Sequence, residues 1–100
     1  MNWIHQAIEN ERDRQYTVEC FTDEHDDGWT HGELARAAAY YATPCTWRDR
    51  LPNLLWPWLS KWFKPTPENR QRELIKAAAL IVAEIERLSR KDEKDSINAR

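Results

Sequence analysis

Between residues 23 and 33 the chain reads DEHDDGWTHGE, five carboxylates and two histidines in eleven positions. Groups of this kind at this density can chelate a cation, move protons, or stand in water at the start of a helix. Asp23, His25, Asp27 and Gly28 fall at positions 1, 3, 5 and 6 of an EF-hand loop. Position 12, where the bidentate glutamate belongs, is Leu34, so a calcium loop is excluded. A zinc site built on His25 and His31 would need two more ligands from Asp27, Glu33 or His5, and no spacing imposes them. Asp26, Asp27 and Glu33 offer the oxygen ligands that a magnesium ion takes. The competing reading is a solvated acidic loop running into a capping box, Thr30-His31-Gly32-Glu33.

A second group of candidates lies in the last third of the chain. Two antiparallel helices carrying carboxylates can hold magnesium against phosphate oxygens, and Glu33 and Glu73 are expected to face each other in that way. Both sit near helix starts, where free backbone N–H groups favour anions. Arg72 and Lys76 would then meet phosphate, and Trp58 would stack on a base. The structural alternatives are a capping role for Glu33 and a salt bridge to Arg70 for Glu73. Glu84 reads as a partly buried carboxylate paired with Arg36, Arg87 or a tyrosine. Trp47, Trp56, Trp58 and Trp62 alternate with Arg48, Arg50, Lys61 and Lys64, and most of these tryptophans are expected to pin a loop to the helices.

The elements that must position these residues are helices. Trp3, Ile4, Ala7, Ile8 and Glu11 recur at helical spacing and predict a helix over 3–15, with Glu9, Arg12 and Asp13 on its solvated side. Residues 16–29 read as an irregular connector. A second helix is expected from Thr30 to Pro44, rich in alanine and so able to pack closely. All five prolines lie between Pro44 and Pro67, which breaks 43–66 into a Trp/Pro-rich connecting segment with one or two short turns near Pro57. The last helix is expected to take Thr66 as its N-cap and Pro67 at N1. Its stripe of Leu74, Ala78, Ile81, Ile85 and Leu88 runs beside Ile75 and Val82, with Ala77, Leu80 and Ala83 on other sides. A helix this apolar needs neighbours on more than one side, and a homodimer is the expected source. The fold class is therefore all-α, one helical domain over 1–90 with three main helices, followed by a frayed polar tail at 91–100.

Bulk properties close off other classes. One hundred residues make one small domain near the low end of independent stability. No apolar run approaches the roughly 20 residues of a membrane span. Cys20 and Cys45 are far apart and unpatterned, which implies reduced thiols and a cytoplasmic protein. Residues 1–33 carry a net charge of −7 and residues 34–100 a net of +5. That asymmetry favours self-association or internal pairing of the two ends, and it lacks the basic stripe of a duplex DNA binder. No nucleophile triad and no glycine-rich phosphate loop is present.

The blocks ERDRQ, DEHDD, HGELARAAAYYA, LWPW, KP and RELIKAAALIVAEIERLSR, in that order over residues 9–90, resemble a family of small proteins of tailed phages and prophages. More distantly, the chain is similar to MazG-like all-α nucleotide pyrophosphohydrolases, magnesium enzymes with an ExxE pair on one helix and an ExxD pair on the next. Laid on this chain the pairs become Thr30…Glu33 and Glu73…Lys76, with one carboxylate of each kept. The resemblances together imply a phage accessory protein that binds a nucleotide or nucleotide-derived signal with little or no turnover, countering host defence. Glu33, Glu73, Lys76, Arg72 and Trp58 would be the ligand-binding residues. The alternatives are a working magnesium-dependent pyrophosphohydrolase and a protein that binds and inhibits a host enzyme.

Overall fold

The two helix faces that meet in the core of this molecule are rich in alanine. In the computed structural model, which describes residues 2–48, 50 and 55–98, Ala37 and Ala38 of one helix and Ala77, Ala79 and Ala83 of another are buried. The elements in chain order are α1 (Asn2–Thr17), α2 (Asp23–Asp27), α3 (Glu33–Ala42), α4 (Cys45–Arg48), a 3-10 turn (Ser60–Trp62) and α5 (Arg70–Asn98). Among the described residues there is no strand, and the fold is all-α as expected. At 1.5 Å per residue the 29 residues of α5 span about 43 Å. This helix sets the long dimension of a molecule measuring 50 × 34 × 23 Å. Helices α1, α2 and α3 all pack on it. No helix of the described residues is long and apolar enough to cross a membrane.

The core joins Leu34, Ala37, Ala38 and Tyr41 of α3 to Ala77, Leu80 and Ala83 of α5, with Phe21, Trp29, Trp56, Trp58 and Phe63 packed around them. α3 and α5 run antiparallel. The Arg70 guanidinium at the start of α5 donates to the carbonyl oxygens of Tyr41 and Ala42. It thus supplies donors and positive charge at the end of α3, where carbonyls are left free and the helix dipole is negative.

Three boundaries differ from the expectation. The stretch DEHDD is helical. Thr22 caps it, accepting from the His25 N–H at 3.3 Å, and Asp26 is completely buried. α3 starts at Glu33 and not at Thr30. Its N-cap is Gly32, held at φ 78°, and the Glu33 carboxylate reaches back to the His31 N–H at 2.6 Å. The reach of the capping box is kept, but glycine supplies the left-handed residue that a threonine would adopt only at a cost. α5 starts three residues later than Pro67 would place it. Residues 66–69 form a turn closed by the Asn69 N–H on the Thr66 carbonyl at 2.8 Å, and the Asn69 side chain accepts from the Arg72 N–H at 3.1 Å. Proline at the second position of a turn satisfies the same fixed φ as proline at N1.

Two further differences concern polar faces. Arg12, expected in solvent, is largely buried, bonded to Asp26 at 3.0 Å and Glu86 at 3.2 Å. The tail stays helical through Asn98, with a Lys91–Asp95 pair one turn apart at 2.8 Å. Of the Trp/Pro-rich segment, positions 49 and 51–54 lie outside the described residues, as do 99–100 of the tail.

Candidate functional site: an aromatic cavity with a charged floor

A cavity of about 660 Å³ opens between α1, α2, α3, α5 and the Trp/Pro-rich segment. One wall is aromatic. Phe21 and His25 stack with ring centres 4.7 Å apart and planes within 5°. His25 meets Trp29 edge-on at 5.7 Å, Trp29 lies 5.4 Å from Trp58, and Trp58 lies 5.4 Å from Trp56 at a near right angle. Leu59 and Trp62, both more than half exposed, form the rim. Pinning and lining are thus the same role for Trp56 and Trp58, whereas Trp47 and Trp62 remain largely in solvent beside Arg50 and Lys61.

The floor is polar, with Glu11 and Lys76 buried and Lys64 more than half exposed. Glu11, on the inward face of α1, bonds to Arg72 at 2.6 Å and to Arg14 at 2.8 Å. Arg14 continues to Glu19 at 3.1 Å, and Glu19 to the Lys64 ammonium at 3.0 Å. Lys76 donates to the Lys64 carbonyl at 2.8 Å, and the Lys64 N–H donates to the Tyr41 hydroxyl at 3.0 Å. Burial pushes the Glu19 carboxyl up, but hydrogen bonds from Lys64 and Arg14 outweigh it and leave the group below its usual range. Burial, helped by repulsion from Arg72, lowers the Lys76 ammonium. The hydrogen bond to Glu11 raises Arg14 against its desolvation. Cations exceed carboxylates in this floor: Arg14, Arg72, Lys64 and Lys76 stand against Glu11 and Glu19.

Three polar atoms in this lining are buried without a hydrogen-bond partner: the indole nitrogens of Trp29 and Trp58 and the side-chain oxygen of Gln15. Gln15 is only 3% exposed. A buried donor or acceptor left unpaired costs about 1–3 kcal/mol. None of the three is exposed to the cavity as it stands, each being sealed by its neighbours.

The helix α2 explains what a capping box leaves open in DEHDD. His25 turns to the cavity, and its Nδ1 lies 3.0 Å from the Asp26 carboxylate. Asp26 is fixed in turn by Arg12. Asp27 pairs with Arg90 at 2.8 Å, and Asp23 approaches the same arginine at 3.4 Å. Desolvation raises Asp26 above the usual aspartate range, against the pull of His25 and Arg12. The acidic cluster is largely internal wiring between α1, α2 and α5.

Of the residues singled out in the sequence, Lys76 and Trp58 line the cavity and Arg72 supports its floor through Glu11. Glu73 is 1% exposed and holds Arg48 at 2.7 Å, Arg70 at 3.1 Å and the Thr66 N–H at 2.9 Å. Glu33 stays at the start of α3. The expectation that Glu33 and Glu73 face each other is corrected: antiparallel helices place their N-termini at opposite ends. Glu73 lies beside the end of α3, and Glu33 lies in the field of Arg87, more than three turns further along α5. Asp26, Asp27 and Glu33 are likewise not brought together, each having its own partner, and among the described residues no three acidic, histidine or cysteine side chains are grouped to hold a metal ion. Glu84 pairs with Arg87 at 2.7 Å, one of its expected partners. Sequence reasoning missed Gln15, Phe21, His25 and Trp29 as cavity residues. The available signal was Glu11, a carboxylate on the apolar stripe of α1.

Compared with protein-family models, characterised proteins and solved structures, the chain matches none.

Proposed function

We propose that the protein binds a nucleotide or nucleotide-derived signal in the aromatic cavity and holds it with little or no turnover, as a homodimeric phage or prophage accessory protein that counters host defence. One observation carries this reading: a π-faced wall of Phe21, His25, Trp29, Trp58 and Trp56 stands over a polar floor in which Arg14, Lys64 and Lys76 outnumber Glu11 and Glu19. A base stacks on tryptophan whatever its identity, at about 1–3 kcal/mol per base. Phosphate is met by Lys76 and Lys64, whose ammonium groups keep N–H donors beyond those used in the floor. The volume is within the usual range for small-molecule sites.

The other two readings draw less from the geometry. Pyrophosphate hydrolysis needs carboxylates converging on a metal, and Glu33 and Glu73 are apart. A host-protein inhibitor acting through an acidic 23–33 surface would need Asp26 and Asp27 in solvent, and Arg12 and Arg90 hold them; one acting through exposed tryptophans would use Trp47 and Trp62.

The test is a panel of mono-, di- and triphosphates and cyclic mono- and dinucleotides, with and without magnesium, read by thermal shift and tryptophan fluorescence. The expected result is a rise in Tm and quenching with at least one member, abolished in Trp58→Ala and Lys76→Met variants that keep their helical circular dichroism. No response from any member at millimolar concentration refutes nucleotide binding. Release of pyrophosphate that vanishes in Glu33→Ala would replace the binding reading with the enzymatic one.

A further inference from the structure

α5 has three sides, and the fold covers two of them. One side, with Glu73, Ala77 and Leu80, packs against α3 and its following segment, and Arg72, Glu86 and Arg90 pair with α1 and α2. The third side carries Leu74, Ile81, Ile85 and Leu88, exposed by 44, 48, 60 and 44%. Ala78 completes the row, and Ile75 and Val82 flank it half-buried. The spacing from 74 to 78, 81, 85 and 88 alternates four and three, the repeat of a helix–helix seam. Single exposed apolar residues are ordinary, but a contiguous row about 21 Å long on one rigid helix marks an interaction surface.

We propose that this face closes on a second copy of the chain, with the two α5 helices antiparallel and Ile81 on the twofold axis. The row is close to symmetric about Ile81: Leu74 and Leu88 lie seven residues to either side, and Ala78 and Ile85 three and four. In that register Leu74 of one copy meets Leu88 of the other. Ala78, the only small residue of the row, meets Ile85, the most exposed, so a large side chain enters the space a small one leaves. A parallel pairing would set Ala78 against itself and leave a void. The row and its flanking residues offer roughly 500 Å² per copy, about 1,000 Å² in all, which is the threshold for a specific interface and predicts a dimer that dissociates on dilution. Of α5 the cavity uses Lys76 and Leu80, which are buried on the side of the helix opposite this row, so dimerisation and ligand binding are tested separately.

Sedimentation equilibrium over about 5–500 μM is the direct measurement, since an interface of this size associates in the micromolar range. The mass should rise from 12.0 kDa to twice that value. Ile81→Glu should keep the chain monomeric throughout while leaving its circular dichroism unchanged. Orientation is read by oxidation in a Cys20→Ser, Cys45→Ser background. A mixture of Leu74→Cys and Leu88→Cys chains should give a disulfide-linked heterodimer, and neither alone should cross-link. A monomeric wild type at the highest concentration, or an Ile81→Glu variant that still dimerises, overturns the proposal. Cross-linking of Leu74→Cys with itself would replace the antiparallel arrangement with a parallel one.

Discussion

Replacing Glu73 by alanine should unfold this protein far more readily than any loss of a ligand contact would. The carboxylate is 1% exposed and its principal partner, Arg48, is 4% exposed. Removing it strands the Arg48 guanidinium in the interior and deletes three hydrogen bonds, from Arg48, Arg70 and the Thr66 N–H. Breaking a buried pair from one side costs about 3–5 kcal/mol. A small domain has only about 5–15 kcal/mol in total, so between a fifth and most of its stability is lost. At about 4–8 °C per kcal/mol, Tm should fall by at least roughly 12 °C. The double variant Arg48→Met, Glu73→Leu removes both charges and should be more stable than Glu73→Ala, since an apolar pair of similar volume replaces a buried ion pair at little or no cost. Urea unfolding followed by tryptophan fluorescence and by circular dichroism gives both numbers. If Glu73→Ala stays within about 1 kcal/mol of wild type, or the double variant is as unstable as the two singles added together, the structural role is wrong. Unchanged stability with lost ligand binding would return Glu73 to the set of ligand contacts.

Three more outcomes follow from local geometry. Gly32→Ala should cost about 1–2 kcal/mol, because the backbone is at φ 78° while nothing lies within 4 Å of the added carbon, and thermal unfolding checks it. Cys20→Gly should raise Tm by a few degrees, since φ 61° strains a non-glycine residue by slightly more than glycine gains in unfolded-state freedom. Acid should destabilise the fold through Glu19 and Glu73, both held below their ordinary value of 4.5 against the opposing effect of burial. Their stabilisation is complete above that value and is lost as pH falls through the lower folded values, so urea midpoints should drop below pH 4.5 and fall less steeply in Glu73→Gln.

The parts of the fold visible in the sequence are those governed by period. α5 announces itself because its apolar residues recur at helical spacing over four turns, and α3 because alanine, leucine and tyrosine fill every position from Leu34 to Ala42 except Arg36. The stretch DEHDD has no such period. It is helical because Arg12 and Arg90 neutralise Asp26 and Asp27 from distant parts of the chain, and a local reading of five charged residues sees only repulsion. Thr30 and Thr66 each satisfied a rule for helix starts, yet the helices begin three and four residues later, where glycine and asparagine meet the same need. For the cavity, Arg72 stands behind Glu11 outside the lining and Trp29 was missed, while Lys76 and Trp58 were legible as residues to single out. The floor was not, because Glu11, Gln15 and Glu19 acquire meaning only when α1 is laid across α5.

The cavity draws its lining from four separate stretches of chain: Glu11–Glu19, Phe21–Trp29, Trp56–Lys64 and Lys76–Leu80, with Tyr41 between them. It therefore exists only once every helix has docked, and an occupant holds all of these stretches in place at once. At a ligand concentration one hundred times Kd, occupancy adds about 2.7 kcal/mol to the folded state. For so small a domain that is a considerable part of its whole margin. On the proposed reading, proteolytic lifetime should thus track ligand supply, the chain persisting where a ligand is abundant and being degraded where it is scarce. The amount of binding protein would then follow the amount of the molecule it binds, with no separate regulator required.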